Sequence, residues 1–72
     1  MDHYSKAAQP PEKQLYRIRD AMIVLSMGRS AIYEQIRSGR LRSLTQGRSR
    51  LISAAAIADY IKLLEQEAKA AL

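Results

Sequence analysis

The sequence predicts one small domain that is mainly α-helical and contains a short β-hairpin. Two short segments carry apolar residues at helical spacing and are separated by a very short break at Gly28. Further on, a polar stretch with a central glycine lies between apolar residues, which is typical of a hairpin. The chain ends in a segment rich in alanine, leucine, glutamate and lysine, and this composition strongly favours a helix. At 72 residues the chain can bury only a small core.

The N-terminal part of the sequence is predicted to form a tail followed by a first helix. Residues 1–14 show no periodicity and contain a Pro10-Pro11 break, so we expect a flexible tail before a folded domain over residues 15–62. Residues 15–17 are expected to be extended and to lead into the helix. The apolar stripe of that helix matches the amphipathic template and consists of Ile18, Ala21, Met22 and Leu25. Ile23 and Val24 are expected to widen this stripe.

The second helix is the segment around which the chain is organised. Ile32 and Ile36 share one face, and Gly39 is expected to end the helix at positive φ. Two helices joined this tightly form a helix-turn-helix arrangement. A helix that is narrowly apolar and otherwise rich in arginine fits the major groove of DNA. The residues predicted on its free surface are Arg29, Ser30, Tyr33, Glu34 and Arg37.

The hairpin and the last helix complete the predicted order of elements. Glycine at the centre of Gln46-Gly47-Arg48 predicts a tight turn, and the hairpin is expected to pack through Leu44 and through Leu51 or Ile52. Ser53 can cap a helix that runs from about residue 54 towards residue 72. The expected stripe of this helix is Ile57, Ile61, Leu64 and Ala68, with Tyr60 alongside.

The net charge of +5 is concentrated in one part of the chain. Residues 26–50 contain six arginines and a single acid, Glu34, whereas residues 51–72 are slightly acidic. A basic block of this kind indicates a surface for a polyanion. The alternative is a solvated basic surface, which the excess of arginine over lysine disfavours, because the planar guanidinium suits phosphate and guanine edges.

The chain lacks the residues that several classes of function require. The chain has no cysteine, no Ser-His-Asp set, no metal-ligand cluster and no glycine-rich phosphate loop, so we expect neither an enzyme nor a cofactor or metal site. His3 is the only histidine and lies in the predicted tail. Long apolar runs and signal-peptide features are missing, which predicts a soluble cytoplasmic protein without a membrane contact.

The order of the elements and the spacing of several residues resemble those of a known family. Residues 15–61 resemble the small DNA-binding domain of phage and plasmid excisionases, a MerR-like winged helix-turn-helix family. The family's second helix begins near a Ser-Arg-Ser-Thr motif and is followed by a glycine-arginine wing. The matching residues are Ala21, Leu25, Met27, Arg29, Ser30, Ile32, Tyr33, Ile36, Arg37, Gly39, Leu41, Gly47, Arg48, Arg50, Ile52, Ile57, Tyr60 and Ile61.

Three positions depart from the pattern of this family. Ser26 stands where the family usually has glycine, and Gly28 stands where it usually has serine or threonine. Glycine is a tolerable helix cap, so the second change has a small cost. Gln35 replaces an apolar residue, which either loosens the second helix or adds a polar contact.

The resemblance implies binding to double-stranded DNA, with the second helix in the major groove and the wing against the minor groove or the backbone. Arg29, Ser30 and Tyr33 match the family's DNA-facing positions. Alternatives stay open: Tyr33 could be an aromatic residue at the core edge, and Glu34 could either accept from a cytosine amine or orient Arg37. Arg37 and Arg40 could instead complement the helix dipole. The expected wing and flanking contacts are Arg40, Arg42, Arg48, Ser49 and Arg50.

The expected role is that of an excisionase, which binds and bends attachment-site DNA so that an integrase is directed towards excision. A small phage- or plasmid-type transcriptional regulator is the first alternative, and a protein-interaction adaptor is the second. Residues 63–72 extend the last helix beyond what the core requires. We expect this extension either to contact a neighbouring copy or a recombinase, or to be a solvated helix end. The residues expected to make such a contact are Leu63, Leu64 and Leu72.

Overall fold

The computed structural model describes residues 12–71. Most of the predicted tail, residues 1–11, and Leu72 therefore lie outside the described residues. The described part is mainly helical, as predicted, and contains three helices and three strands. In chain order these are β1 Leu15–Arg17, α1 Ile18–Leu25, α2 Arg29–Arg37, β2 Leu44–Gln46, β3 Ser49–Ser53 and α3 Ala54–Ala71. None of these three helices is both long and apolar enough to cross a bilayer.

The sheet contains one strand more than the predicted hairpin. The extended segment β1 pairs antiparallel with β3, which gives a three-stranded sheet in the order β1-β3-β2. Tyr16 lies opposite Ile52, and both side chains face the core. Because side chains alternate along a strand, Arg17 and its partner Leu51 lie on the other face. Leu44 also lies opposite Leu51 and so shares this outer face.

The core draws on all three helices, on β3 and on the link that follows α2. Ile32, Leu41 and Ile52 are completely enclosed. Burial of this kind contributes about 1.5–3 kcal/mol for each large aliphatic side chain. Tyr60 is also buried, and its hydroxyl lies 3.8 Å from the Met27 sulfur. Among residues 12–71, the buried residues are Ile18, Ala21, Ile32, Leu41, Ile52, Ala56, Ile57 and Tyr60.

Several residues that were predicted to be in the core are instead exposed. In α1 the main stripe is correct, but Ile23 and Val24 are 75 % and 50 % exposed and do not widen it. Leu44 is 41 % exposed because it lies on the outer face of the sheet, so the hairpin packs through Ile52. Ile61 follows the buried Tyr60 and points about 100° away from it around the helix, which leaves it 40 % exposed.

The start of α3 is held by two hydrogen bonds. The N–H of Ala56 donates to Oγ of Ser53 at 3.0 Å, which confirms the predicted cap. The N–H of Ala54 donates to the carbonyl oxygen of Gln14 at 2.8 Å. The second bond satisfies another free donor of the helix and ties the residues before β1 to the domain.

The turn between α1 and α2 has an unusual residue at each end. Ser26 is left-handed, with φ 56° and ψ 46°, and the N–H of Met27 donates to the carbonyl of Met22 at 2.9 Å. This is a Schellman-type helix end, in which glycine is normally favoured. Gly28 is the N-cap of α2 and is extended, with φ −76° and ψ 166° and no side-chain cap. Serine and glycine thus each occupy the position that would suit the other.

Exchanging these two residue types is expected to stabilise the domain. Ser26→Gly should raise the free energy of unfolding by about 1 kcal/mol, because a left-handed conformation costs an L-residue roughly 1–2 kcal/mol. Gly28→Ser should add a few tenths of a kcal/mol or more through a new cap, and its Cβ would meet no atom within 4 Å. Urea denaturation measures both changes. As a control, Gly39→Ser is expected to destabilise, since Gly39 has φ +85°; destabilisation by Ser26→Gly would contradict the assigned turn geometry.

Candidate nucleic-acid interface

Helix α2 presents a continuous polar face away from the core. Ile32 is buried and Ile36 packs beside it, which anchors the opposite side of the helix. The free face includes four of the five predicted residues in exposed positions. It also includes the small side chain of Ala31, which was not predicted. The exposed predicted residues are Arg29, Ser30, Glu34 and Arg37.

Tyr33 lies at the border between the free face and the core. The residue is partly exposed and packs against the core cluster. It therefore has the position of a core-edge aromatic residue, which was one of the two predicted alternatives. The exposed remainder of the side chain lies beside the polar face of α2, so the structure does not remove the other alternative.

Glu34 and Arg37 form a weak ion pair on the free face. Their closest charged atoms are 3.9 Å apart, and the two side chains are 70 % and 71 % exposed. An exposed pair at this spacing contributes little to stability and is readily exchanged for another partner. Both side chains therefore remain available to a ligand.

The tip of the hairpin is a two-residue turn that presents arginine. Gly47 has φ +61°, while Arg48 does not have positive φ, which is the pattern of a type II′ turn with glycine first. Arg48, Ser49 and Arg50 are all exposed. One amino group of Arg50 donates to Oγ of Ser43 at 2.9 Å, and its other donors are free for a further contact.

Arg40 and Arg42 both form ion pairs with acids on α3. The two terminal amino groups of Arg40 both donate to the carboxylate of Glu67, one of them at 2.8 Å, and Nε donates to Oε1 of Gln35 at 2.6 Å. Arg42 Nη1 lies 2.9 Å from Asp59 Oδ2. The hydrogen bond from Arg40 lowers the pKa of Glu67 below its ordinary value, and Glu67 in turn raises the pKa of Arg40.

These contacts join the end of α2 and the following link to α3. Arg40 is partly buried and donates to Glu67 through two groups, so we leave it out of the candidate interface. Arg42 is 61 % exposed and makes a single contact with Asp59, so it remains a predicted flanking contact. The same network accounts for Gln35, whose side chain makes the polar contact that was one of the two expectations for this position.

Sequence reasoning missed a basic groove on the outer face of the sheet. The groove has a volume of about 550 Å³ and lies between β1, the start of α1 and the tip of the hairpin. Arg17 and Arg19 belong to different elements, β1 and α1. No sequence signal brought them to the hairpin, since the pairing of β1 with β3 does so. The lining residues are Lys13, Leu15, Arg17, Arg19, Asp20, Gln46, Ser49 and Leu51.

The extension of α3 remains helical to Ala71 and carries exposed apolar residues. Leu63 is half-buried, whereas Leu64 is 38 % exposed. Leu64 follows the exposed Ile61 at a spacing of three residues, so the two lie on one side of the helix. Leu72, the third residue expected to contact a partner, lies outside the described residues.

Residues 12–71 form a small, mainly helical domain of three helices and a three-stranded antiparallel sheet. No protein-family model matches the chain, and neither a curated protein nor a solved structure is significantly similar to it. Within residues 12–71, no group of three or more His, Cys, Asp or Glu side chains is placed to hold a metal ion. What distinguishes the surface is the set of exposed arginines on α2 and the hairpin.

Proposed function

We propose that this chain is a winged helix-turn-helix protein that binds double-stranded DNA. In this proposal α1, the turn at residues 26–28 and α2 form the helix-turn-helix, and β2 with β3 forms the wing. The observation that carries the proposal is the exposure of four arginines, Arg29 and Arg37 on the free face of α2 and Arg48 and Arg50 at the hairpin tip. Arg40, which lies between them in the chain, is instead partly buried and held by Glu67.

Helix α2 is the proposed reading element in the major groove. Its apolar side is anchored by Ile32, so the opposite side can approach base edges without loss of core packing. In this arrangement the N-terminal residues of the second helix contact the bases. Arg29 is the first residue of α2, and an arginine there can donate two hydrogen bonds to a guanine.

The wing is the proposed backbone-contacting element. The type II′ turn places Arg48 at the extreme tip, with Ser49 and Arg50 directly behind it. Cationic and hydroxyl side chains of this kind commonly bind phosphate oxygens, which position a protein without reading sequence. Helix and wing would then differ in role, one setting preference between sites and the other setting affinity.

The proposed biological role is that of an excisionase-type architectural protein that acts with an integrase on attachment-site DNA. The resemblance over residues 15–61 supports this role, and the small size of the domain suits binding in adjacent copies. The alternative is a small phage- or plasmid-type transcriptional regulator. Directly repeated sites and measurable bending favour the first role, whereas a single promoter operator favours the second.

A protein-interaction adaptor is the second candidate function. The specific observation in its favour is the exposed pair Ile61 and Leu64 on α3, at 40 % and 38 % exposure. The same pair can serve contacts between neighbouring copies on DNA under the first proposal. The two functions are separated by the affinity for DNA, because an adaptor has no need of a salt-sensitive interaction with it.

A salt titration of DNA binding tests the proposed function. The three exposed arginines that are not assigned to base edges, Arg37, Arg48 and Arg50, are expected to release about three counterions, which gives a slope of log K against log salt of about −2.7, steeper if further residues contact the backbone. Fluorescence anisotropy with a labelled duplex measures the slope. As a control, Lys69→Ala removes one charge from α3 and should leave the slope unchanged. A nearly flat titration would contradict the proposal and favour the adaptor.

A further inference from the structure

We infer that the groove beside β1 binds a DNA phosphate backbone through Arg17 and Arg19, so that the protein contacts DNA on both faces of its sheet. This inference rests on the proposed function and adds a second contact surface to it. The groove is built by three separated parts of the chain: β1, the first turn of α1 and the tip of the hairpin.

The strand register places arginine on both faces of the sheet. Arg17 lies opposite Leu51 on the outer face, and Gln46 lies opposite Ser49 on the same face at the tip. Arg50 belongs to the other face, because it lies between Ser49 and Leu51 on β3 and side chains alternate along a strand. The minor groove is about 6 Å wide and is bordered by the phosphates of both strands. A wing inserted there can place Arg50 towards one strand and Arg17 towards the other.

The charge of the groove is positive, and its two arginines have no partner within the described part of the chain. Lys13 is held by Asp20, with Nζ 3.5 Å from Oδ2, and lies 5.3 Å from the centre of the Tyr16 ring. Arg17 and Arg19 are exposed, and within residues 12–71 neither forms an ion pair or a side-chain hydrogen bond. Three cations therefore face one acid, and that acid is already engaged.

Local helix stability does not account for these two arginines. Arg17 is the N-cap of α1 and makes no capping hydrogen bond there. Serine, threonine, aspartate and asparagine are the residues that stabilise this position. Arg19 lies in the first turn, where the helix dipole disfavours a cation. Their placement is therefore better explained by an external anion than by the fold.

The anion that fits best is the DNA backbone and not an acidic peptide. The groove is continuous with the hairpin tip, because Gln46 and Ser49 line it and directly flank the turn that carries Arg48. A backbone that contacts the tip therefore passes the mouth of the groove. Of the eight lining residues only Leu15 and Leu51 are apolar, which leaves little to anchor a peptide side chain.

The test is the double variant Arg17→Ser/Arg19→Gln in the full chain, compared with Lys62→Gln/Lys69→Gln, which removes the same charge from α3. Serine at position 17 supplies the missing cap, so the groove variant should melt no lower than wild type. Its salt slope should be shallower by about 1.8, so that between 50 and 200 mM salt wild type should lose about 12-fold more affinity than the variant. Affinity should fall equally on preferred and random duplexes, because backbone contacts carry no sequence information.

Phosphate ethylation interference provides a second measurement on the same proteins. Wild type should show interference on both strands that border the wing, and the groove variant should lose it on one strand only. If the groove and control variants keep the same slope and the same interference pattern while wild type binds DNA, the inference is wrong and the proposed function stands. Loss of binding to a poly-glutamate peptide, with DNA binding unchanged, would likewise overturn it. If wild type shows no salt-sensitive DNA binding, the proposed function itself fails.

Discussion

Replacing Arg29 with alanine is expected to weaken the complex with a preferred DNA site by about 1–3 kcal/mol, or about 5- to 150-fold in affinity. Arg29 is exposed at the first turn of α2 and forms no ion pair within residues 12–71. Its replacement should therefore leave the fold intact and change only the affinity for DNA. Because it is assigned to base edges, the preference between sites should also decrease. Competition binding with the preferred duplex and a random duplex measures both effects.

The matched control for Arg29 is Arg48→Ala at the tip of the wing. Both changes remove one exposed guanidinium, so any difference between them reports on role and not on charge. Arg48→Ala should weaken binding to preferred and random DNA by the same factor, since phosphate contacts position a protein without specifying sequence. If instead Arg48→Ala abolished site preference and Arg29→Ala left it unchanged, the assigned roles of helix and wing would be reversed.

Replacing Ile32 with alanine is expected to have the largest effect on the fold. Ile32 is completely enclosed, and such truncations cost about 2–5 kcal/mol, because they remove buried surface and leave a cavity. A domain of this length has a total stability of roughly 4–11 kcal/mol. A large part of that stability should be lost, and DNA binding should weaken with it, because Ile32 holds α2 against the core. The midpoint of urea denaturation followed by circular dichroism measures the loss.

Ile23→Ala is the matched control for Ile32. It removes the same atoms from a residue that is 75 % exposed, so its effect on the free energy of unfolding should stay within about 0.5 kcal/mol. The comparison separates burial from helix propensity, since both isoleucines lie within helices. Equal losses from the two variants would show that the core described above does not hold the domain together.

The features that could be predicted from sequence are those with short-range causes. The stripe of α1 and the helical spacing within α2 follow from side chains three and four residues apart. The cap by Ser53 and the positive φ at Gly39 and Gly47 follow from the chemistry of single residues. The polar face of α2 was also predictable, because once Ile32 faces the core, the helical spacing determines which side chains face outward.

The features that could not be predicted depend on contacts between distant parts of the chain. Residues 15–17 are too few to show a period, so only their pairing with residues 51–53 defines them as a strand. The sequence showed an arginine-rich block but not which of its arginines form ion pairs. Only the packing of α3 brings Glu67 to Arg40.

For this protein, the amino-acid sequence by itself determined the helices, the cap at Ser53, the hairpin and the basic character of residues 26–50. Each of these depends on neighbours within one turn of helix or one tight turn. The tertiary structure alone decided that Leu44 and Ile61 are exposed, that Arg40 and Arg42 are held by acids, and that Arg17 joins the hairpin. The physical reason is that burial and ion pairing depend on which elements meet in space, and a local pattern does not specify that meeting.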